Sequence, residues 1–274
     1  MKTQRRLQLV LSYALILGAV VVFLFPIIWL TLGSFKPRSE LLVVSLPTQP
    51  TLENYSNVLK EFPVGTYLRN SLLVALSSTS ITLAAGSLAA YGFTRYRFRG
   101  RQSLLISTLL MRILPAVAVG IPLYLLFSRL RLTNTYYGLI LAHVAGQLPL
   151  VIWILQGFFQ DLPPELMDAG LVDGCNRLSV LYHVVLPLAA PGLAVAAIFS
   201  FLISWNDFGL AVMMVQKPGV LTMPVGMSHM SLRFGIRWDS LSASAVMYIV
   251  PTIIMALILQ RYVVRGLTMG AIKG

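Results

Sequence analysis

Long runs without a single Asp, Glu, Lys or Arg divide the chain at 7–35, 70–94, 132–160, 178–206 and 240–260. Each reaches the roughly 20 apolar residues that a membrane-spanning helix needs. A sixth run, 102–127, is as apolar but is interrupted by Arg112, and the 178–206 run carries Pro187 and Pro191 near its start. The pattern predicts six spans at about 9–32, 68–92, 103–127, 137–158, 190–213 and 241–262. Connections between them are short, so 1–274 reads as one all-α membrane domain. The longest connection, 34–67, contains Pro37, Pro47, Pro50 and Pro63 and is expected to be irregular, with short helical turns such as 52–59.

Composition agrees with this pattern: 57% of residues are hydrophobic and 11% charged, against about 25% charged in a soluble domain. Lys2, Arg5 and Arg6 precede the first span, as they would a secretory signal. A signal's apolar core is about 7–15 residues long and ends at small residues. The first run is longer, and Phe23, Leu24, Phe25, Pro26 and Trp29 offer no such site, so it reads as a retained helix. The net charge of +12 is divided almost evenly between the two sides of a six-span chain. The tight groups at the N-terminus and at Arg95, Arg97, Arg99 and Arg101 flank spans closely, which favours both termini in the cytoplasm. These cations read as anchors at anionic headgroups, with no call for nucleic acid. The single cysteine, Cys175, cannot form an internal disulfide.

Polar groups inside the apolar runs are informative, because a charge at the centre of a span costs about 2.5–3.5 kcal/mol on insertion scales. Arg112 in span three and Asp207 in span five are the two clear cases. Ser200, Ser204 and Asp207 share a face of a continuous helix, beside Trp205 and Asn206, and His143 and Gln147 share a face of span four. The residues Ser204, Trp205, Asn206, Asp207 and Arg112 are therefore candidates for a solute path, with interior ion pairing as the competing account. Span two is rich in small residues, among them Ser77, Ser78, Ala84, Ala85, Gly86 and Ser87, and should lie inside the bundle. The three histidines are dispersed, HExxH and GxSxG patterns do not occur, and no GxxxxGK[ST] loop is present. An enzyme, a metal centre and phosphate binding through a P-loop are thus not expected on this chain.

Between spans four and five the character changes. Of the nine acids in the chain, Glu165, Asp168 and Asp173 fall within nine residues of one another. Pro163 and Pro164 suit a helix start, and the acids complement the positive end of its dipole. Asp173 and Gly174 supply a turn, and a second helix is expected from near Asn176 to just before Pro187, with Leu178, Leu181, Tyr182 and Val185 on one stripe. An amphipathic hairpin lying on the membrane is the bland alternative, but such helices are usually basic.

This segment, 160–189, resembles the EAA loop of permease subunits in binding-protein-dependent ABC importers. Asp168, Ala169 and Gly170 stand where Glu-Ala-Ala is usual, Gly174 follows after three residues, and Val184-Val185-Leu186-Pro187 closes the pattern. Further stretches resemble the maltose-transporter-like carbohydrate permeases: Ser34-Phe35-Lys36, Asn54-Tyr55, Asn70-Ser71-Leu72, the run 90–95, Ile121-Pro122-Leu123-Tyr124, Trp205-Asn206-Asp207-Phe208 and the final 270–274. The resemblance implies the type I importer permease fold in a bacterial inner membrane. It also implies a related permease as heterodimer partner, two cytoplasmic ATPases that bind ATP and Mg, and an external solute-binding protein that delivers a carbohydrate. The residues Glu165, Asp168, Ala169, Gly170, Asp173, Gly174 and Pro187 would then couple this chain to the ATPase. Glycerol-phosphate or a polyol as cargo, a proton-coupled carrier using Arg112, His143 and Asp207, and a structural scaffold are the competing readings.

Overall fold

In a computed structural model the described residues are 2–40, 43, 45–234 and 237–271. Among the described residues thirteen α-helices, α1 to α13, carry the fold: α1 (Lys2–Ser34), α2 (Glu53–Glu61), α3 (Val64–Arg95), α4 (Arg101–Leu110), α5 (Ala116–Arg129), α6 (Tyr136–Gln160), α7 (Pro164–Val172), α8 (Arg177–Val180), α9 (Leu186–Leu188), α10 (Ala190–Trp205), α11 (Gly209–Met214), α12 (Met223–Phe234) and α13 (Trp238–Ala271). Among the described residues four stretches are long and apolar enough to cross a membrane, 8–34, 64–95, 136–160 and 238–258. A fifth arises if Arg177–Leu188 and Ala190–Trp205, which meet at 83°, form one bent span.

Two of the expected spans are corrected by this geometry. The third, 103–127, is not continuous: α4 stops at Leu110 and α5 starts at Ala116, with Arg112 and Pro115 in the turned segment between them. Proline fixes its own φ and disfavours helix at the residue before it, so α4 cannot run on into α5. The fifth, 190–213, ends its first helix at Trp205 and restarts at Gly209. The six apolar runs are present, two of them as broken helices. Of the closing stretch 270–274, residues 272–274 lie outside the described residues.

The chain divides into two compact units, residues 1–64 with 227–250 and residues 65–226 with 251–274. In the first, the Ser34-Phe35-Lys36 and Asn54-Tyr55 stretches meet. Asn54 Nδ2 donates to the Ser34 and Lys36 carbonyls at 2.9 and 2.8 Å, and the Ser34 and Tyr55 hydroxyls lie 2.6 Å apart. The Ser34 carbonyl, the last of α1 and without a partner within the helix, is thereby satisfied. Lys36 is buried, donates to the Val43 carbonyl at 2.8 Å and stands 5.3 Å from the centre of the Trp29 ring. Arg38 and Arg237 both engage the buried Asp239 carboxylate, at 2.8 and 3.1 Å, and both also face Glu61.

In the second unit α6 is the most enclosed of the long helices, with 61% of its apolar window buried against 39% for α3. The small residues of α3 do bring it close to α6: a Cβ placed on Gly86 would stand 2.6 Å from Val151 Cγ1. Asn70 fixes the start of α3. It donates to the Gly219 and Leu221 carbonyls at 3.1 and 2.9 Å and accepts from the Tyr136 hydroxyl at 2.8 Å, while Ser71 Oγ accepts the Met223 amide at 2.8 Å.

Candidate functional site

The acidic segment forms its own helix-turn-helix. Helix α7 begins with Pro164 as its first residue, where a missing amide donor costs nothing. It ends at Gly174, whose φ of +85° is open to glycine and strained for other residues. The Cys175 amide donates to the Gly170 carbonyl at 3.0 Å and the Gly174 amide to Leu171 at 3.2 Å, so the final carbonyls are capped as in a Schellman motif. Asn176 then caps α8, its side chain accepting the Ser179 amide at 2.8 Å.

The second helix departs from expectation. It does not close before Pro187 but passes through a π turn at Leu181–Val185 into α9, which includes Pro187. The Leu186 amide reaches back five residues to Leu181. The widened turn gives room for the proline ring, which would otherwise clash with a carbonyl one turn earlier. The expected stripe splits: Leu181 and Val185 are buried, whereas Leu178 is 66% and Tyr182 69% exposed.

Packing gives the loop one fixed face and one free face. Met167, Val180, Leu181 and Val185 are buried in a cluster with Ala90 and Tyr91 of α3, Val151, Leu155 and Phe159 of α6, and Ala196 of α10. Gly170 belongs to this fixed face, and a Cβ placed there would stand 3.2 Å from Val180 Cγ2. Alanine, usual at this position of the motif, therefore requires Val180 to give by a few tenths of an ångström. Gly170→Ala is expected to change the thermal midpoint of the detergent-purified protein by no more than the equivalent of about 1 kcal/mol. A loss several times larger would show that Val180 cannot shift.

The free face carries Glu165, Asp168, Ala169, Val172 and Asp173, all exposed, with Val172 at 87%. Asp168 is ion-paired with Arg95 in the last turn of α3. One residue on, the Tyr96 ring lies 5.1 Å from the Arg177 guanidinium. Sequence reasoning did not identify Arg95, Tyr96 and Arg177 as the loop's partners. The only signal was that the 90–95 run and the acidic segment both carried family-like residues.

The candidate solute-path residues separate. Trp205 is 1% exposed, its ring stacked on Phe201 at 5.5 Å, so it is part of the core and its ring does not line an open path here. Asn206 is exposed and donates to the Leu202 carbonyl at 2.9 Å. Asp207 lies beyond the end of α10, not on its face, and accepts the Leu210 and Ala211 amides at 3.3 and 2.8 Å, capping α11. Its carboxylate also stands 3.1 Å from His143 Nε2. Across the same imidazole, Nδ1 lies 2.6 Å from Ser204 Oγ, which accepts from Ser78 Oγ at 3.0 Å. Ser78 donates to Ser204, and the tautomer of His143 decides the rest: with the proton on Nε2, Nε2 donates to Asp207 and Nδ1 accepts from Ser204. One turn away Ser200 donates to Gln147 Oε1. With Ser204 6% exposed and its hydroxyl held between Ser78 and His143, the row cross-links α3, α6 and α10. Ser78 was legible only as a small residue. Arg112 joins none of this; it is exposed at the α4–α5 break and has no ion pair among the described residues.

Residues 82–269 match the family model described as binding-protein-dependent transport system inner membrane component. The sulfoquinovosyl glycerol transport system permease protein SmoH of Agrobacterium fabrum is 37% identical over 92% of this chain and 89% of its own length. The trehalose/maltose transport system permease protein MalG of Thermococcus litoralis is 37% identical over 95% of this chain and 96% of its own. Among solved structures, a bacterial ABC transporter involved in import of the acidic polysaccharide alginate superposes with a TM-score of 0.82 at 21% identity, covering 94% of this chain and 97% of that one.

Proposed function

Because the chain belongs to the family of binding-protein-dependent transport system inner membrane components, we propose that it is the permease subunit of an ATP-driven importer that carries a carbohydrate into the cytoplasm. A solute-binding protein outside delivers the cargo. A second, related permease completes the path, and two cytoplasmic ATPases hold ATP and Mg; this chain itself carries out translocation and no chemistry. Both termini and the 160–189 loop face the cytoplasm. The relatives support the cargo class, since their names are those of sugar permeases.

The observation that carries the coupling role is the two-faced loop. Its buried side is packed on α3, α6 and α10, and its exposed side carries three acids and the apolar Val172. A push on the exposed side is delivered to the helices without slack, because close-packed interiors transmit displacement. ATPase closure would thus move α3 and α10 together, through the Asp168–Arg95 pair and through the 83° bend into α10.

The test is uptake in vesicles containing the complete importer. Accumulation of sugar is expected to require internal ATP and to survive a protonophore, with the ATPase copurifying on this chain. Uptake that needs no ATP and collapses with the protonophore would favour a proton-coupled carrier. That rival has little structural support, since Arg112 is not joined to the His143–Asp207 pair.

A further inference from the structure

We propose that Arg112, with the cavity it lines at the α4–α5 break, is a subsite near the membrane midplane for an anionic substituent of the cargo: a carboxylate or sulfonate carried by a sugar. The proposal rests on the importer reading above and adds the charge of the substrate to it.

Depth is the first step. Helix α4 has 10 residues and α5 has 14. At about 1.5 Å per residue they reach about 15 and 21 Å from the break, against a hydrocarbon core of about 30 Å. Arg97, Arg99 and Arg101 mark the outer end of α4 and Arg129 and Arg131 that of α5, as arginines do at membrane surfaces. Arg112 therefore lies near the middle of the segment, too deep for its side chain to reach either headgroup layer.

Its surroundings are the second step. Arg112 lines a cavity of about 410 Å³ whose other walls are apolar, including Met111, Leu114, Val119 and Leu210. Ala142, Ala145 and Gly146 of α6 leave the space open. The Asp207 carboxylate is engaged by His143 and by two amides of α11 and forms no ion pair with Arg112. A guanidinium in apolar walls attracts an anion far more strongly than it would in water. Its planar fork accepts a carboxylate or sulfonate through two parallel hydrogen bonds. A neutral hydroxyl would leave the charge uncompensated.

The experiment uses the complete importer in proteoliposomes and two cargoes, an oligosaccharide bearing a uronate or sulfonate and its neutral counterpart. The wild type is expected to accumulate the acidic sugar. Arg112→Gln should lower that uptake more than ~10-fold, and Arg112→Lys, which keeps the charge but not the fork, should fall between them. Copurification with the partner subunits should be unchanged in both variants. Acidic-sugar uptake by Arg112→Gln at the wild-type rate overturns the proposal, as does a wild type that accumulates the neutral sugar alone. Loss of the second permease from the Arg112→Gln complex also overturns it, because the guanidinium would then belong to that interface. A wild type with no ATP-dependent uptake of either sugar would instead remove the importer reading itself.

Discussion

Asp168→Lys is expected to abolish ATP-driven uptake, by more than ~100-fold, while leaving the chain folded. The Asp168–Arg95 pair is on the surface, with Asp168 62% exposed, and exposed pairs contribute only about 0.2–1 kcal/mol. Met167, Val180, Leu181 and Val185 hold the loop in place and do not touch the substituted carboxylate's role. A stability loss so small cannot account for a hundredfold fall in transport, so such a fall would report coupling. Two couplings are open to this carboxylate, a strut to α3 through Arg95 and a contact with a cation of the ATPase. Exchanging the charges, Arg95→Asp with Asp168→Arg, separates them. If the strut alone matters, the double variant recovers uptake; if the ATPase reads the carboxylate, it stays inactive and loses the copurifying ATPase. The exposed position of the acid favours the second result. Full uptake and assembly in Asp168→Lys alone would sink the docking reading.

The features that the sequence exposed are those encoded locally. Pro163, Pro164 and Gly174 each restrict or release a backbone angle, so a start and a stop could be placed without any tertiary information, and the described helix respects both. The Ser34 and Asn54 stretches were visible as family-like residues, but their mutual contact was not, because it closes a 20-residue separation that periodicity does not encode. Span three was misjudged for a different reason. Apolarity measures preference for lipid and is indifferent to backbone direction, so a run interrupted only by Arg112 still read as one span although the helix breaks before Pro115. Asp207 was placed on a helical face by extrapolating 3.6-residue periodicity past Trp205, where the helix has already ended and the carboxylate caps the next one. Leu178 and Tyr182 were grouped with Leu181 and Val185 by i, i+3 and i, i+4 spacing, which puts all four on one broad face, whereas packing against α3 and α6 takes only Leu181 and Val185.

Trp205 and Asp207, neighbours in one motif, should behave differently when removed. Trp205 is 1% exposed and stacked on Phe201, and truncating a buried Trp to Ala typically costs about 3–5 kcal/mol. Against a total stability of about 5–15 kcal/mol, Trp205→Ala is expected to lower the yield of folded subunit and of assembled complex in parallel with uptake. Asp207→Ala removes a helix cap, about 1 kcal/mol, and the partner of His143, about 1.5–3 kcal/mol for a hydrogen bond to a charged group. The core side chains stay in place, so assembly should persist while uptake falls, because the Ser78–Ser204–His143 row that links α3, α6 and α10 loses its terminal acceptor. Asp207→Asn keeps one oxygen for the amides or the imidazole and should lie between Asp207→Ala and wild type. Gel filtration of the purified complex beside vesicle uptake reads both quantities on the same preparation. A Trp205→Ala complex that assembles at the wild-type level yet transports nothing would contradict the core assignment and return the indole ring to the solute path.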